Sequence, residues 1–219
     1  MPRRLGPSTS GTVCDICALV LLEGRTISYL WLPRPLAGSH WNPVFSKPLF
    51  LRLAATGLKK GDIYRHFSSK EELAAEAFDY TWQAARDARM LHVDEKAGGV
   101  EQMKQYIANF IDHKSGIPGG CPILNTAVDA DDGNSLLRAR VSKALLQWVA
   151  RLQAMVTQAA ERGELRAGAD PKAVATLIVA SLEGALVMSR LERNDDSLRW
   201  VRQHLNRYLD TLVATHVPI

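Results

Sequence analysis

Six residues between positions 59 and 70 bring positive charge, hydrogen-bonding groups and a close-approach glycine into one short stretch: Lys59, Lys60, Gly61, Tyr64, His66 and Lys70. The lysine ammonium groups suit phosphate oxygens, and a glycine lets backbone N–H groups come close to an anion. A tyrosine and a histidine add hydrogen bonds without a fixed charge. This chemistry predicts contact with the phosphates and base edges of a DNA major groove.

The elements around this stretch predict a helix-turn-helix. Residues 51–56 are typical of a short helix that stops at Gly57, and residues 59–67 of a second one. Ser69 precedes Glu72 at the capping-box spacing, which predicts the start of a longer helix. Two short helices joined by a glycine turn and followed by a long helix are the order found in helix-turn-helix domains.

Charge and composition limit the class of protein. Residues 51–70 carry five basic and one acidic residue, whereas residues 71–219 carry 17 basic and 20 acidic residues. A basic head on a mildly acidic body suits anion binding, and a chance cluster in so short a window explains it as well. Three cysteines argue against a disulfide framework. No apolar run reaches the roughly 18–20 residues of a membrane span, so no membrane partner is expected.

Hydrophobic periodicity predicts an all-α body with no strand after residue 50. The helix that Ser69 caps should run to about Leu91. Another, of about 14 residues, should follow near 100–110, and a glycine- and proline-rich loop lies at 116–122. The buried face of the first helix is predicted to hold Leu73, Ala77, Phe78, Thr81, Trp82 and Ala85.

Three further helices are predicted in the second half. One opens near Asn134 or Ser135 and ends near Gly163. Asp170-Pro171 is a strong helix start, and residues 173–188 are apolar almost all round, which predicts burial on more than one side. Ser197 is expected to open the last helix. The apolar face of the helix that ends near Gly163 is predicted to hold Val141, Leu145, Trp148, Leu152, Met155 and Ala159. That of the last helix is predicted to hold Leu198, Val201, Leu205, Tyr208 and Leu212.

The stretch closely resembles the signature of the TetR/AcrR family of transcriptional regulators. The matching residues are Gly57, Tyr64, His66, Phe67, Lys70, Glu71 and Leu73. The resemblance to one branch of that family continues downstream in Gly120-Cys121-Pro122, Asn125-Thr126-Ala127, Asp131-Asp132 and Leu137-Arg138. It therefore covers residues 51–219. It implies that Lys59, Lys60, Gly61, Tyr64, His66 and Lys70 face DNA and that Ile63 and Phe67 face the core. It also implies a homodimer through the last two helices.

Residues 1–50 depart from that family, which begins with a helix, a glycine and a Thr-Ser pair. Lys47 and Pro48 stand where the Thr-Ser pair is expected. Read one base back, the codons for residues 40–50 force Leu-Glu and permit Pro-Gly-Ile-Gln-Gln-Thr-Ser-Ile, which restores the missing pattern. Our hypothesis is that residues up to about Leu51 are translated out of frame, and the alternative is a genuine divergent N-terminus. In the first case this chain lacks most of the helices that support its recognition helix.

Six residues of the helical body are candidates for an effector pocket: Trp82, Met103, Phe110, Cys121, Asn125 and Trp148. Met155 and Met188 belong to the same apolar set. For each aromatic or methionine side chain, ordinary core packing is the favoured explanation over a place in a pocket. Cys121 could sense oxidants or simply fill a loop, and Asn125 could orient a ligand or satisfy backbone groups. Cys14 and Cys17 have the spacing of half a metal site, but no second pair completes it.

These observations predict an all-α protein: an atypical segment (1–50), a partial helix-turn-helix (51–75), and a helical effector-binding and dimerisation domain (76–219). The resemblance implies a cytoplasmic repressor that binds a double-stranded DNA operator and is released by a small apolar effector. The alternative is a dimerising ligand-binding module that has lost DNA binding. Because no nucleophile–base, metal or phosphate-cradling motif is present, we expect neither an enzyme nor a cofactor or metal.

Overall fold

The computed structural model describes residues 65–112, 120–130 and 135–214. Within these ranges the chain is built of α-helices, and its one β feature is an isolated bridge between Leu165 and Val213. The all-α class is thereby confirmed. The helices are α1 (Lys70–Met90), α2 (Gly99–Asp112), α3 (Pro122–Ala130), α4 (Ser135–Glu161), α5 (Pro171–Glu192) and α6 (Asp196–Leu212).

The helix starts follow local capping chemistry. Asp170 caps α5, because its Oδ1 accepts hydrogen bonds from the backbone N–H groups of Lys172 at 2.9 Å and Ala173 at 3.3 Å. The last helix begins one residue earlier than predicted, at Asp196. Ser197 does not cap it; its hydroxyl instead donates to the carbonyl of Ala185 in α5 at 3.1 Å.

One helix was missed and one stripe was partly wrong. The nine residues of α3 follow a stretch of sequence rich in glycine and proline and are too few to show a helical period. On α4, Leu145 is exposed and Ala144 is buried in its place. The step of four from Ala144 to Trp148 keeps both on one face, whereas Leu145 lies about 100° around the helix from Ala144. The predicted buried face of α1 is confirmed at all six of its positions.

The described residues fall into two compact units. Residues 65–83, 120–130 and 135–142 belong to one, which contains the first part of α1, all of α3 and the start of α4. Residues 84–112 and 143–214 belong to the other, in which α5 packs on α6 and α2 packs on both.

In the second unit, the start of α2 packs closely against the end of α4. Gly99 lies so close to Ala159 that a Cβ at position 99 would overlap the alanine Cβ. Its N–H donates to Glu164 Oε2 at 2.6 Å, while Arg162 Nε donates to Oε1 of the same carboxylate at 2.5 Å. Desolvation raises the pKa of Glu164, but these hydrogen bonds outweigh it and hold the pKa below its ordinary value.

The helix α5 is long and apolar enough to cross a membrane by length and composition alone. Interior and interface helices of globular proteins share that property. One face of α5 is buried within the chain, and the opposite apolar face is exposed in the single copy. Burial on more than one side is therefore not achieved by this chain alone.

Candidate functional site

The end of the predicted DNA-contact stretch has the expected division into an exposed and a buried residue. His66 is exposed, whereas Phe67 is only 2% exposed, as expected for a core-facing position. Lys70 is the first residue of α1. The other predicted DNA contacts, Lys59, Lys60, Gly61 and Tyr64, lie outside the described residues. The same is true of Ile63 and of the Cys14/Cys17 pair.

A serine-glutamate cap fixes the turn between His66 and α1. Ser69 Oγ accepts a hydrogen bond from the N–H of Glu72 at 3.1 Å, which confirms the first half of the predicted capping box. The Glu72 carboxylate reaches one residue further back than expected and accepts from Ser68, at 2.6 Å from its N–H and 2.5 Å from its hydroxyl. These two bonds, the hydroxyl one first, lower the pKa of Glu72. The cap therefore fixes the chain where it enters α1.

The six candidate pocket residues divide between the two units. Trp82, Cys121 and Asn125 belong to the first unit; the tryptophan and the cysteine are buried, and the asparagine is half-buried. The second unit holds Met103, Phe110 and Trp148, of which the first and last are buried and Phe110 is half-buried.

The second unit brings two of these candidates into direct contact. The rings of Phe110 and Trp148 stack, with centroids 5.9 Å apart and planes inclined by 16°. The guanidinium carbon of Arg89 lies over both rings, 4.6 Å from the Phe110 centroid and 4.3 Å from the Trp148 centroid. We call these three residues the Arg89 cluster.

Sequence reasoning missed Arg89, although a signal was present. The residue follows Ala85 by four positions and Trp82 by seven, so it continues the apolar face of α1. Arginine is seldom buried in proteins, yet only 6% of Arg89 is exposed. A charged residue in register with a buried stripe is the pattern that would have revealed it.

The same end of α1 is held by a buried amide from α2. Asn109 Nδ2 donates to the carbonyl oxygens of Arg89 at 3.0 Å and Leu91 at 2.6 Å. Its Oδ1 accepts from Gln105 Nε2 at 2.9 Å. Asn109 therefore satisfies carbonyl groups that a helix C-terminus leaves without intrahelical partners, and it fixes the backbone of Arg89.

Ion pairs connect α2 to α6. Lys104 Nζ lies 2.7 Å from Asp210 Oδ1, and Arg202 Nη1 lies 3.0 Å from Asp112 Oδ1. Hydrogen bonds to Asp210 and then to Glu101 raise the pKa of Lys104. Asp112 is the last residue of α2 and Lys104 lies eight residues before it, so the two pairs attach the helix to α6 between Lys104 and its C-terminal end.

An apolar stripe on α5 is exposed in the single chain. It follows steps of three and four residues, which place its members on one helix face. At Gly184 an added Cβ would meet no atom within 4 Å. On α6, Trp200 is 58% exposed, and Met188 of α5, expected in the core, is 49% exposed. The stripe consists of Leu177, Ala180, Gly184, Val187, Met188 and Leu191.

No group of three or more histidine, cysteine, aspartate or glutamate side chains able to hold a metal ion occurs in residues 65–112, 120–130 and 135–214. What the described part of the chain offers is a capped helix start behind a basic stretch, a buried cation on two aromatic rings, and an exposed apolar helix face.

Known proteins have similar sequences and similar folds. Residues 99–205 match the model of the tetracyclin repressor-like C-terminal domain. A TetR transcriptional regulator from Chloroflexus aurantiacus has 31% identity and a TM-score of 0.76, and the match covers 94% of this chain and 96% of that one. A TetR-family regulator from Cytophaga hutchinsonii has 23% identity and a TM-score of 0.78, covering 97% and 100%. The HTH-type transcriptional repressor DhaR of Mycobacterium sp. (strain GP1) is 27% identical over 166 residues, 75% of this chain and 79% of that protein.

Fold and comparisons together define an all-helical transcriptional regulator. The chain belongs to the TetR family, and the resemblance noted in its sequence is confirmed.

Proposed function

We propose that the protein is a homodimeric repressor that binds a specific double-stranded DNA operator and releases it when a small effector binds the helical body. The observation that carries this proposal is the end of the contact stretch, where His66 is exposed, Phe67 is buried and the serine-glutamate cap starts α1. The relative DhaR is named as a repressor, which supports repression, not activation, by this protein. We place this regulatory, non-enzymatic role in the cytoplasm.

The apolar stripe of α5 supports the homodimer. Large apolar patches rimmed by polar groups mark interaction surfaces, and the exposed residues of α6 are polar apart from Trp200. Two copies related by a two-fold axis would cover each other's stripe. The same axis would place two recognition helices about 34–36 Å apart, in successive major grooves.

Effector and DNA would oppose each other by linkage. An effector that binds better to a state of the dimer in which the two DNA-binding regions are wrongly spaced lowers the affinity for the operator. The operator lowers the affinity for the effector by the same factor.

Fluorescence anisotropy with the DNA upstream of the protein's own gene tests operator binding. We expect an affinity that falls steeply with salt and that weakens in the His66→Ala and Lys70→Ala variants. Loss of the phosphate contact expected of Lys70 in each of the two subunits should reduce the slope of log affinity against log salt by about 2. Lys143→Ala, which removes an exposed lysine of α4, should leave the slope unchanged. Equal affinity for scrambled DNA would contradict specific binding.

Light scattering after gel filtration tests the homodimer. The wild-type chain of 24.2 kDa should elute with twice that mass. Leu177→Arg, which places a charge in the stripe, should yield monomer. Leu146→Arg on α4 makes the same change at a leucine that is 67% exposed and should remain dimeric. A Leu177→Arg dimer of unchanged stability would exclude this face.

A second candidate function follows from the N-terminal sequence. Lys47 and Pro48 replace the expected cap of the first helix-turn-helix helix, which favours a dimerising ligand-binding module without DNA activity. A dimer that shows no salt-dependent DNA binding would support this alternative. The nucleotide sequence upstream of the Leu51 codon would also show whether the minus-one frame is open.

A further inference from the structure

The turn after α4 holds the chain in position to pair with another segment. Gly163 adopts φ 72°, a conformation that favours glycine, and its N–H donates to the Ala160 carbonyl at 2.9 Å. The N–H of Glu164 donates to the Ala159 carbonyl at 3.0 Å. These two bonds are the pair that ends a helix in a Schellman motif, so they fix the direction in which residues 164–166 leave α4.

The last residue of α6 and the two residues after it pair with this turn. The N–H of Arg166 donates to the Leu212 carbonyl, and the N–H of Ala214 donates to the Glu164 carbonyl, both at 2.8 Å. The two bonds lie on either side of the isolated antiparallel bridge. We call residues 212–214 the strap, because main-chain hydrogen bonds attach it, and with it the end of α6, to the turn after α4.

Glu164 joins the strap to α2. Its carbonyl accepts from Ala214, and its carboxylate accepts from the N–H of Gly99 at 2.6 Å. Arg162 Nε donates to the other carboxylate oxygen at 2.5 Å, so both oxygens of the side chain are held. A shift of the main chain at Glu164 therefore displaces the carboxylate from Gly99 as well.

A second link between α2 and the end of α6 is weaker. Lys104 pairs with Asp210, but the side chain of Asp210 is 58% exposed, and exposed ion pairs contribute little to stability. Gly99 and Ala159, by contrast, are buried where α2 meets α4. The junction at Glu164 is therefore the tighter connection between these elements.

We propose that the strap is a conformational device that controls the start of α2. While the strap is paired with the turn, Glu164 caps α2. When the strap leaves, the Glu164 carbonyl loses its partner, the turn shifts, and the bond to Gly99 opens with it. A binding event that draws the strap away from the turn would thus loosen α2. This coupling needs neither DNA nor effector, so the inference goes beyond the proposed function.

Amide hydrogen exchange of the full chain, followed by NMR spectroscopy, tests the coupling. Ala214→Pro removes the N–H donor of the strap, and Val213, with φ −62° and ψ 135°, already has the backbone conformation favoured before proline. We expect the Gly99 N–H to exchange about two- to twelvefold faster, the range that corresponds to the net contribution of one hydrogen bond. Ala214→Ser keeps the N–H donor, so it should leave the Gly99 rate at its wild-type value.

A second amide and a second variant make the result decisive. The N–H of Lys172, which donates to Asp170 Oδ1 at 2.9 Å in the same unit, should keep its wild-type rate in Ala214→Pro. Because coupling is reciprocal, Glu164→Gln, which removes the charge that strengthens the bond to Gly99, should speed exchange at Ala214. This second variant keeps the inference testable if the proline variant does not fold. An unchanged rate at Gly99 in Ala214→Pro, or at Ala214 in Glu164→Gln, would overturn the inference. An equal acceleration at Lys172 in Ala214→Pro would also overturn it, because the loss of stability would then be general.

Discussion

Replacing Gly99 by alanine should destabilise the second unit. The new Cβ would overlap the Cβ of Ala159 and would lie 3.3 Å from its Cα and 3.1 Å from Arg162 Nη2. Carbon atoms pack at about 3.5–4.0 Å, so α2 and α4 would have to separate by about 1 Å. Overpacking of this kind costs about 1–3 kcal/mol.

The separation would also weaken the cap on α2. The N–H of Gly99 donates to Glu164 Oε2 at 2.6 Å, and loss of a helix cap costs about 1 kcal/mol. The combined loss of about 2–4 kcal/mol corresponds to a fall in Tm of roughly 4–16 °C for a chain of this length. Circular dichroism during heating and urea unfolding would measure both quantities.

Two variants test the cause of this loss. Ala159→Gly removes the overlapping Cβ, so the double variant with Gly99→Ala should recover part of the stability that Gly99→Ala loses. Gly184→Ala adds a Cβ where no atom of the same chain lies within 4 Å, but it lies in the proposed dimer surface; made in the Leu177→Arg variant, which is expected to be monomeric, it should stabilise α5 by roughly 0.5–1 kcal/mol. A Gly99→Ala protein as stable as the wild type would refute the close-packing argument.

Two further predictions concern polar groups. Because the folded pKa of Glu164 is lowered, its stabilising effect is complete above the ordinary value of 4.5 and is lost as pH falls through the folded pKa. The Tm difference between wild type and Glu164→Gln should therefore be largest near neutral pH and shrink towards pH 3, and a constant difference would argue against this role. Thr126 Oγ1 is buried with no hydrogen-bond partner among the described residues, so Thr126→Val should raise the free energy of unfolding by about 1 kcal/mol. A lower urea midpoint in that variant would show that the hydroxyl has a partner.

Helix starts and the buried face of α1 were predictable because they depend on nearby residues. Asp170 and Pro171 specify a helix start within two positions, and Ser69 with Glu72 does so within four. The partner of the Glu72 carboxylate was less predictable, since a flexible side chain can reach either of two adjacent residues.

The candidate ligand site depends on contacts between residues distant in sequence. Phe110 and Trp148 were recognised as apolar candidates, but their stacking requires two helices to meet at one place. Arg89 was missed because its burial depends on those rings, which lie 21 and 59 positions further along the chain. The exposed face of α5 has a similar explanation: composition shows that it is apolar, and only the fold shows which half this chain covers.

In the proposed function, α2 is the element that would relate ligand binding to dimer geometry. It supplies Phe110 to the Arg89 cluster and Asn109 to the last carbonyls of α1, and its ion pairs attach it to α6. In the proposed function, a ligand that binds beside Phe110 would act on a helix that is fixed to α6, which carries Trp200 of the exposed apolar face. Since interiors packed at crystal-like density repack in discrete steps, we expect a small change at Phe110 to shift these attachments together.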